Sequence, residues 1–256
     1  MVFVDKIKEE KRIWPIIWIV IFLSFIFLDL TFKIFFHNER IINSVVIGGQ
    51  TLKLPVLENG TFIGVKCLKI LAVSLNLLYS LKHNRKDVFL NAALALTLLA
   101  DTFFAFNPAS AAAVFIFCFA QFFHSLRLAQ NKKITIIRAV LAGVLLIIGF
   151  VSSISNIYAF SYVYTILIVC NIHLSYRKLA KENKEKAHAK SYLNACAFAF
   201  AGFILFFMCD LNIALTFFTT TGLLPESLNV FFAFISWFFY YPSQLFIINS
   251  SMVSKE

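Results

Sequence analysis

A chain of 256 residues with 60% hydrophobic residues, 14% charged residues and a mean hydropathy of +0.82 carries more apolar surface than one soluble core buries. Soluble globular classes are therefore excluded and lipid is the expected solvent. A net charge of +10 would point to nucleic acid in a soluble protein, but here the basic residues fall in short segments between apolar runs, so they orient a membrane protein and no nucleic-acid partner is expected.

Residues 1–13 form a basic amino-terminal segment in which Lys6, Lys8, Lys11 and Arg12 precede an apolar run from Trp14 to about Phe36. That run is longer than a signal-peptide core and no small-residue cleavage pattern follows it, so it reads as a first membrane span. In the connection at 37–60, Ser44-Val-Val-Ile-Gly-Gly-Gln-Thr-Leu-Lys-Leu-Pro55 sets β-branched residues around a Gly pair, as in a small hairpin cap. Further runs of about 20 apolar residues fall near 61–81, 88–106, 110–130, 134–152, 157–176, 192–219 and 228–250.

The expected fold is all-α: a polytopic bundle of eight transmembrane helices in one domain over 14–250, followed by a short tail at 251–256. Lys6, Lys8, Lys11, Arg12, Lys82, Arg85, Lys86, Arg127, Lys132, Lys133, Arg138, Arg177, Lys178, Lys181, Lys184, Lys186, Lys190 and Lys255 fall on one side, 18 of the 23 Lys and Arg. The connections at 107–109, 153–156 and 220–227 have none. By the positive-inside rule both termini are cytoplasmic. The charged run Lys178–Lys190, with His188, reads as a solvated loop, with an amphipathic helix on anionic lipid as the alternative. The five Cys, all inside apolar runs without paired spacing, read as buried thiols.

An ionisable side chain in hydrocarbon costs about 2.5–3.5 kcal/mol on insertion scales, so each one needs a partner, a wet cavity or a function. The spans contain Asp29, Lys66, Lys69, Asp101, His124, His173 and Asp210, with Asn76, Gln121, Asn171, Asn212, Tyr240, Tyr241 and Gln244. At about 1.5 Å of rise per residue, Asp29 lies roughly 10 Å below the outer end of its helix, Lys66 and Asp101 roughly 8 Å, and Asp210 roughly 13 Å. His124, Tyr240 and Gln244 lie deeper, at about 18–24 Å, as the floor of a cavity that opens outward.

Two acids in one low-dielectric pocket do not both ionise, which divides Asp101 and Asp210 into an acid and a base; a structural ion pair such as Asp–Lys66 is the competing reading. Gln121 and His124, three residues apart, share one helix face. Asp29 and Lys69 are read as snorkelling or structural, and Asn171 and His173 as structural. No metal-ligand spacing, nucleophile elbow, phosphate loop or dinucleotide fingerprint occurs, so neither a metal nor an organic cofactor is expected.

Three blocks resemble the YhhN family of membrane proteins, which includes the lysoplasmalogenases. They are Leu98-Leu-Ala-Asp101-Thr-Phe-Phe with Phe119-Ala-Gln-Phe-Phe-His124, then Phe203-Ile-Leu-Phe-Phe-Met-Cys-Asp210, then Trp237-Phe-Phe-Tyr240-Tyr-Pro-Ser-Gln244-Leu-Phe-Ile. The resemblance covers roughly 60–250. The chain departs from the family pattern at Cys67, which follows Lys66 where Pro is usual, at Cys209 in place of Ser, and at Arg127 in place of Tyr.

The resemblance implies hydrolysis of the vinyl ether bond of a lysoplasmalogen, a lysophospholipid, to a fatty aldehyde and a glycerophospho alcohol. One of Asp101 and Asp210 would be the general acid and the other would stabilise the cation or orient water, with His124 assisting proton transfer. Gln121, Tyr240, Tyr241 and Gln244 would bind the glycerol or phosphate, and Lys66 would be the phosphate countercharge. A proton-coupled carrier is the main alternative, because acids and a His also build proton relays. Ala100-Asp101-Thr-Phe-Phe-Ala resembles Cys209-Asp210-Leu-Asn-Ile-Ala four spans later, as parallel repeats would. A lipid-binding protein without turnover is the third reading.

Overall fold

A chain in hydrocarbon must satisfy its own backbone hydrogen bonds, so apolar runs of span length become helices. The computed structural model contains α1 (Gly60–His83), α2 (Val88–Phe106), α3 (Ala111–Leu128), α4 (Asn156–Glu185), α5 (Lys190–Thr220) and α6 (Asn229–Asn249). Among the described residues, stretches of α2 to α6, five in all, are long and apolar enough to cross a membrane, and the protein is a multi-pass integral membrane protein.

The residues described are 14, 16–24, 26–27, 41–47, 50–56, 60–106, 110–129, 133, 136–137, 140, 143–144, 156–185, 190–220 and 222–251; between 41 and 66 the description covers the backbone alone. Those at 14–27 and 133–144 are helical and fall within or beside the expected first and fifth spans. Asp29 and His188 lie outside the described residues, as does the side chain of Lys66.

The hairpin expected in the first connection is present: β1 (Ile41–Ile47) pairs antiparallel with β2 (Gln50–Val56), Ile47 facing Gln50 across Gly48 and Gly49. The Lys178 run departs from the loop expected for it. Helix α4 continues to Glu185, with Glu182 buried and Lys178 Nζ 5.7 Å from the Tyr192 ring centroid. Of the five thiols, Cys118, Cys196 and Cys209 are buried, whereas Cys67 is exposed on the outside of α1.

Each helix packs on the next in chain order, and α6 returns to α1, so the six form a closed circuit. The tightest crossing is α5 on α6 at Gly202. A Cβ there would lie 2.9 Å from Ile247 Cγ1 and 3.2 Å from both the Ile247 nitrogen and the Ser243 carbonyl oxygen. Small residues at such crossings let backbones approach where no hydrophobic force drives helices together. The turn between α5 and α6 is held by Gly222, whose φ of 78° is left-handed, and by Asn229 Nδ2 donating to Thr219 Oγ1 at 2.7 Å.

The opposite end of the bundle is tied by a buried polar network. Asp87 caps α2, accepting from the Leu90 N–H at 3.1 Å, and its second oxygen accepts from Arg127 Nε at 3.0 Å. Arg127 Nη2 also donates to the Ser250 carbonyl and, at 2.7 Å, to Ser250 Oγ, while Asn84 Nδ2 donates to the Ile248 carbonyl at 2.7 Å. Arg127, expected among the loop charges of one membrane side, lies in the last turn of α3 and pins the α1–α2 turn and the end of α6 to it.

Two measurements check this framework. Gly202→Ala should lower the thermal unfolding midpoint of the detergent-purified protein, at a cost of about 1–3 kcal/mol. Asp87→Ala, which strands a buried guanidinium, should cost about 3–5 kcal/mol. The Asp87→Leu/Arg127→Met pair should be less damaging than Asp87→Ala in the same assay.

Candidate functional site

Asp101 stands five residues before the end of α2 and Asp210 in the second half of α5. Each carboxyl is held by a tyrosine from a different helix. Tyr240 of α6 donates its hydroxyl to Asp101 Oδ2, and Tyr164 of α4 donates to Asp210 Oδ2 at 2.5 Å. Both acids are half-buried and lie within electrostatic reach of one another.

A ladder of rings fixes the two tyrosines. Tyr164 lies edge-on to Phe117 with centroids 5.9 Å apart, Phe117 to Phe206 at 6.1 Å, and Phe206 to Tyr240 at 5.7 Å. Edge-to-face contacts of this kind prefer defined geometry, so the ladder sets the two hydroxyls relative to each other. Trp237 packs on Tyr240 at 5.4 Å, and Lys69 Nζ sits 3.1 Å from the Trp237 ring centroid, a cation–π contact. Lys69 is also within electrostatic reach of Asp101.

One layer away from the acids lies a second set of polar groups. His124 is almost fully buried, edge-on to Phe203 at 5.1 Å, and its Nδ1 has no hydrogen-bond partner among the described residues. No hydrogen bond joins it to either carboxyl among the described residues. Gln121 is engaged instead with α4: Asn171 Nδ2 donates to its Oε1 at 2.8 Å and its backbone oxygen at 2.9 Å, and Ser125 Oγ donates to Asn171 Oδ1 at 2.5 Å. That clip leaves Gln121 Nε2 without a partner among the described residues, as are both amide atoms of Gln244 and of Asn76.

These orphaned groups share one depth. Gly202 is pressed between Ser243 and Ile247, which straddle Gln244, and its neighbour Phe203 touches His124. Ala72 packs with Tyr241, and Asn76 and Leu245 follow each by one turn. A buried polar group left unpaired costs about 1–3 kcal/mol, which sets this layer apart from the apolar packing around it.

The structure brings Asp101, Asp210 and Tyr240 together and places His124, Gln121 and Gln244 beneath them. Tyr241 turns away from Asp101, its ring edge-on to Trp18 at 5.6 Å and Phe22 at 5.8 Å. Two members escaped the sequence reading. Tyr164 shares the buried face of α4 with Ile168, Asn171 and Ser175, and Lys69 shares that of α1 with Val73, Asn76 and Ser80. The four- and seven-residue spacings were the available signals. Lys69, read as structural or snorkelling, points inward. Among the described residues no three of His, Cys, Asp and Glu come together as metal ligands.

A family model described as the YhhN family matches residues 61–251. No curated protein and no solved structure matches the chain.

Proposed function

The chain belongs to the YhhN family, and we propose that it is a membrane-embedded hydrolase cleaving the vinyl ether bond of a lysoplasmalogen or a related lysolipid. The observation that carries this reading is the pair of carboxyls, each oriented by a tyrosine hydroxyl and within electrostatic reach of the other. In this reading the chain crosses the bilayer eight times as one domain over 14–250. Residues 1–13 and 251–256 are cytoplasmic, and the acids lie in the outer half of the membrane.

Vinyl ether cleavage begins with protonation of the β-carbon, which leaves an oxocarbenium ion on the carbon bonded to oxygen. Water adds to that carbon, the resulting hemiacetal collapses, and the products are a fatty aldehyde and an alcohol. Tyr240 and Tyr164 each engage one carboxyl oxygen, leaving the other oxygen of Asp101 and Asp210 to face the substrate. One acid gives its proton to carbon; the other, as carboxylate, stabilises the cation and takes a proton from the attacking water, as paired carboxylates do at a glycosidic bond.

Lys69, held over Trp237, is a better phosphate countercharge than Lys66, since it lies in reach of Asp101. Gln121 Nε2 and Gln244 would meet the glycerol from the layer beneath the acids, where His124 also serves them, whereas Tyr241 faces Trp18 and Phe22.

The orphaned polar layer also favours a second reading, a proton-coupled carrier. Two features weigh against it. Carriers of that kind bind at broken helices, whereas α2 to α5 run unbroken and Pro242 is the helix-interior proline of α6. In a parallel repeat, the partner of Asp101 on the eighth span would correspond to a partner of Asp210 on the fourth, but Tyr164 is on the sixth.

Purified protein incubated with lysoplasmalogen should release a free fatty aldehyde detectable by mass spectrometry. Asp101→Asn and Asp210→Asn should each cut turnover by about 10²–10⁴-fold with the folded protein intact. Tyr164→Phe and Tyr240→Phe, which keep the ring ladder, should cost roughly tenfold to a hundredfold. Full activity in either Asn variant would end the assignment, and lysolipid-independent flux across liposomes without turnover would favour the carrier.

A further inference from the structure

A separate cavity of about 250 Å³ lies on the outside of the bundle, near the end of α1 that carries the basic residues. Its walls are Ile17, Leu75 and Leu78, its floor is Tyr79, and Lys82 and His83 stand at one end. Tyr79 is held by two rings: Trp14 stacks on it at 4.7 Å with an interplanar angle of 18°, and the His83 ring centroid lies 4.5 Å from its own. The site is distinct from the acid layer, since Tyr79 is ten residues, or about 15 Å of helix rise, beyond Lys69.

The chemistry of the groove is graded along its length. Leu78 is 60% exposed, and Ile16, Leu71 and Leu81 beside it are exposed as well, so the apolar wall is continuous with the lipid-facing surface. At the other end Lys82, His83, Arg85 and Lys86 fall within five residues. The Trp14 Nε1 donor, on the groove wall, has no hydrogen-bond partner among the described residues.

We propose that this groove binds an anionic phospholipid of the membrane. A segment of acyl chain lies along Ile17, Leu75 and Leu78, and the phosphate is held at Lys82 and His83. The cavity is too small for a whole lipid and takes only part of one chain, leaving the rest in the bilayer. Basic pockets at helix ends on the positive side of a membrane bind anionic head groups in this way. The charge at one end selects this occupant over a zwitterionic lipid or the lysolipid substrate.

The test uses full-length protein in a non-ionic detergent, given equimolar phosphatidylglycerol and phosphatidylcholine of identical chains, with retained lipid read by native mass spectrometry. The wild-type protein should retain phosphatidylglycerol in preference by about fivefold for each cation engaged. Lys82→Gln should lower that preference about fivefold, and Lys82→Arg should preserve it. Equal retention of both lipids by the wild type, or an unchanged preference in Lys82→Gln, overturns the proposal. If Lys82→Gln fails to fold, Leu78→Trp carries the test: it fills the groove from its exposed wall and should lower retention of phosphatidylglycerol, and wild-type retention there also overturns the proposal.

Discussion

Where water is absent, a carboxyl group can be kept only by giving it a partner that the bundle itself supplies. The Tyr240–Asp101 and Tyr164–Asp210 hydrogen bonds are that supply, and much of the bundle follows from them. To deliver the two hydroxyls, α6 must reach α2 and α4 must reach α5. The ring ladder through Phe117 and Phe206 passes between them and fixes their separation. The close approach of α5 and α6 at Gly202 brings Asp210 and Tyr240 into the same layer.

The ends of the bundle differ in kind. At the Arg127 end a buried ion pair and side-chain hydrogen bonds donated to Ser250 and to the Ile248 carbonyl join three segments. Such a pair adds little net stability against well-packed apolar groups, but breaking it is costly, so it acts as a fixed point for the helices that carry His124 and Gln244. At the acid end the two carboxyls are half-buried and each is held by one tyrosine hydroxyl.

Much of this was legible in the sequence because hydropathy and helix periodicity act locally. The expected span at 88–106 coincides with α2, the Gly pair marks the hairpin, and Asp101, Asp210 and Tyr240 stand out as polar residues in apolar runs. What was not legible depends on which helix faces which. Tyr164 looks like one more interfacial aromatic until α4 packs beside α5. Lys69 reads as a snorkelling side chain until Trp237 is found beneath it. Arg127 counts as a loop charge until Asp87, 40 residues earlier, is seen to pair with it. The run from Lys178 to Glu185 is helical because a helix already nucleated in its apolar stretch extends at little cost.

The central claim is that a carboxylic acid of this bundle delivers a proton to carbon. Turnover of a lysoplasmalogen in D₂O, followed by trapping and mass analysis of the aldehyde, tests it directly. The account predicts one deuterium on the carbon next to the aldehyde carbonyl, with the yield of labelled aldehyde cut in Asp101→Asn and Asp210→Asn as far as turnover is. Aldehyde released without that deuterium, or no aldehyde at all from folded protein, would contradict it.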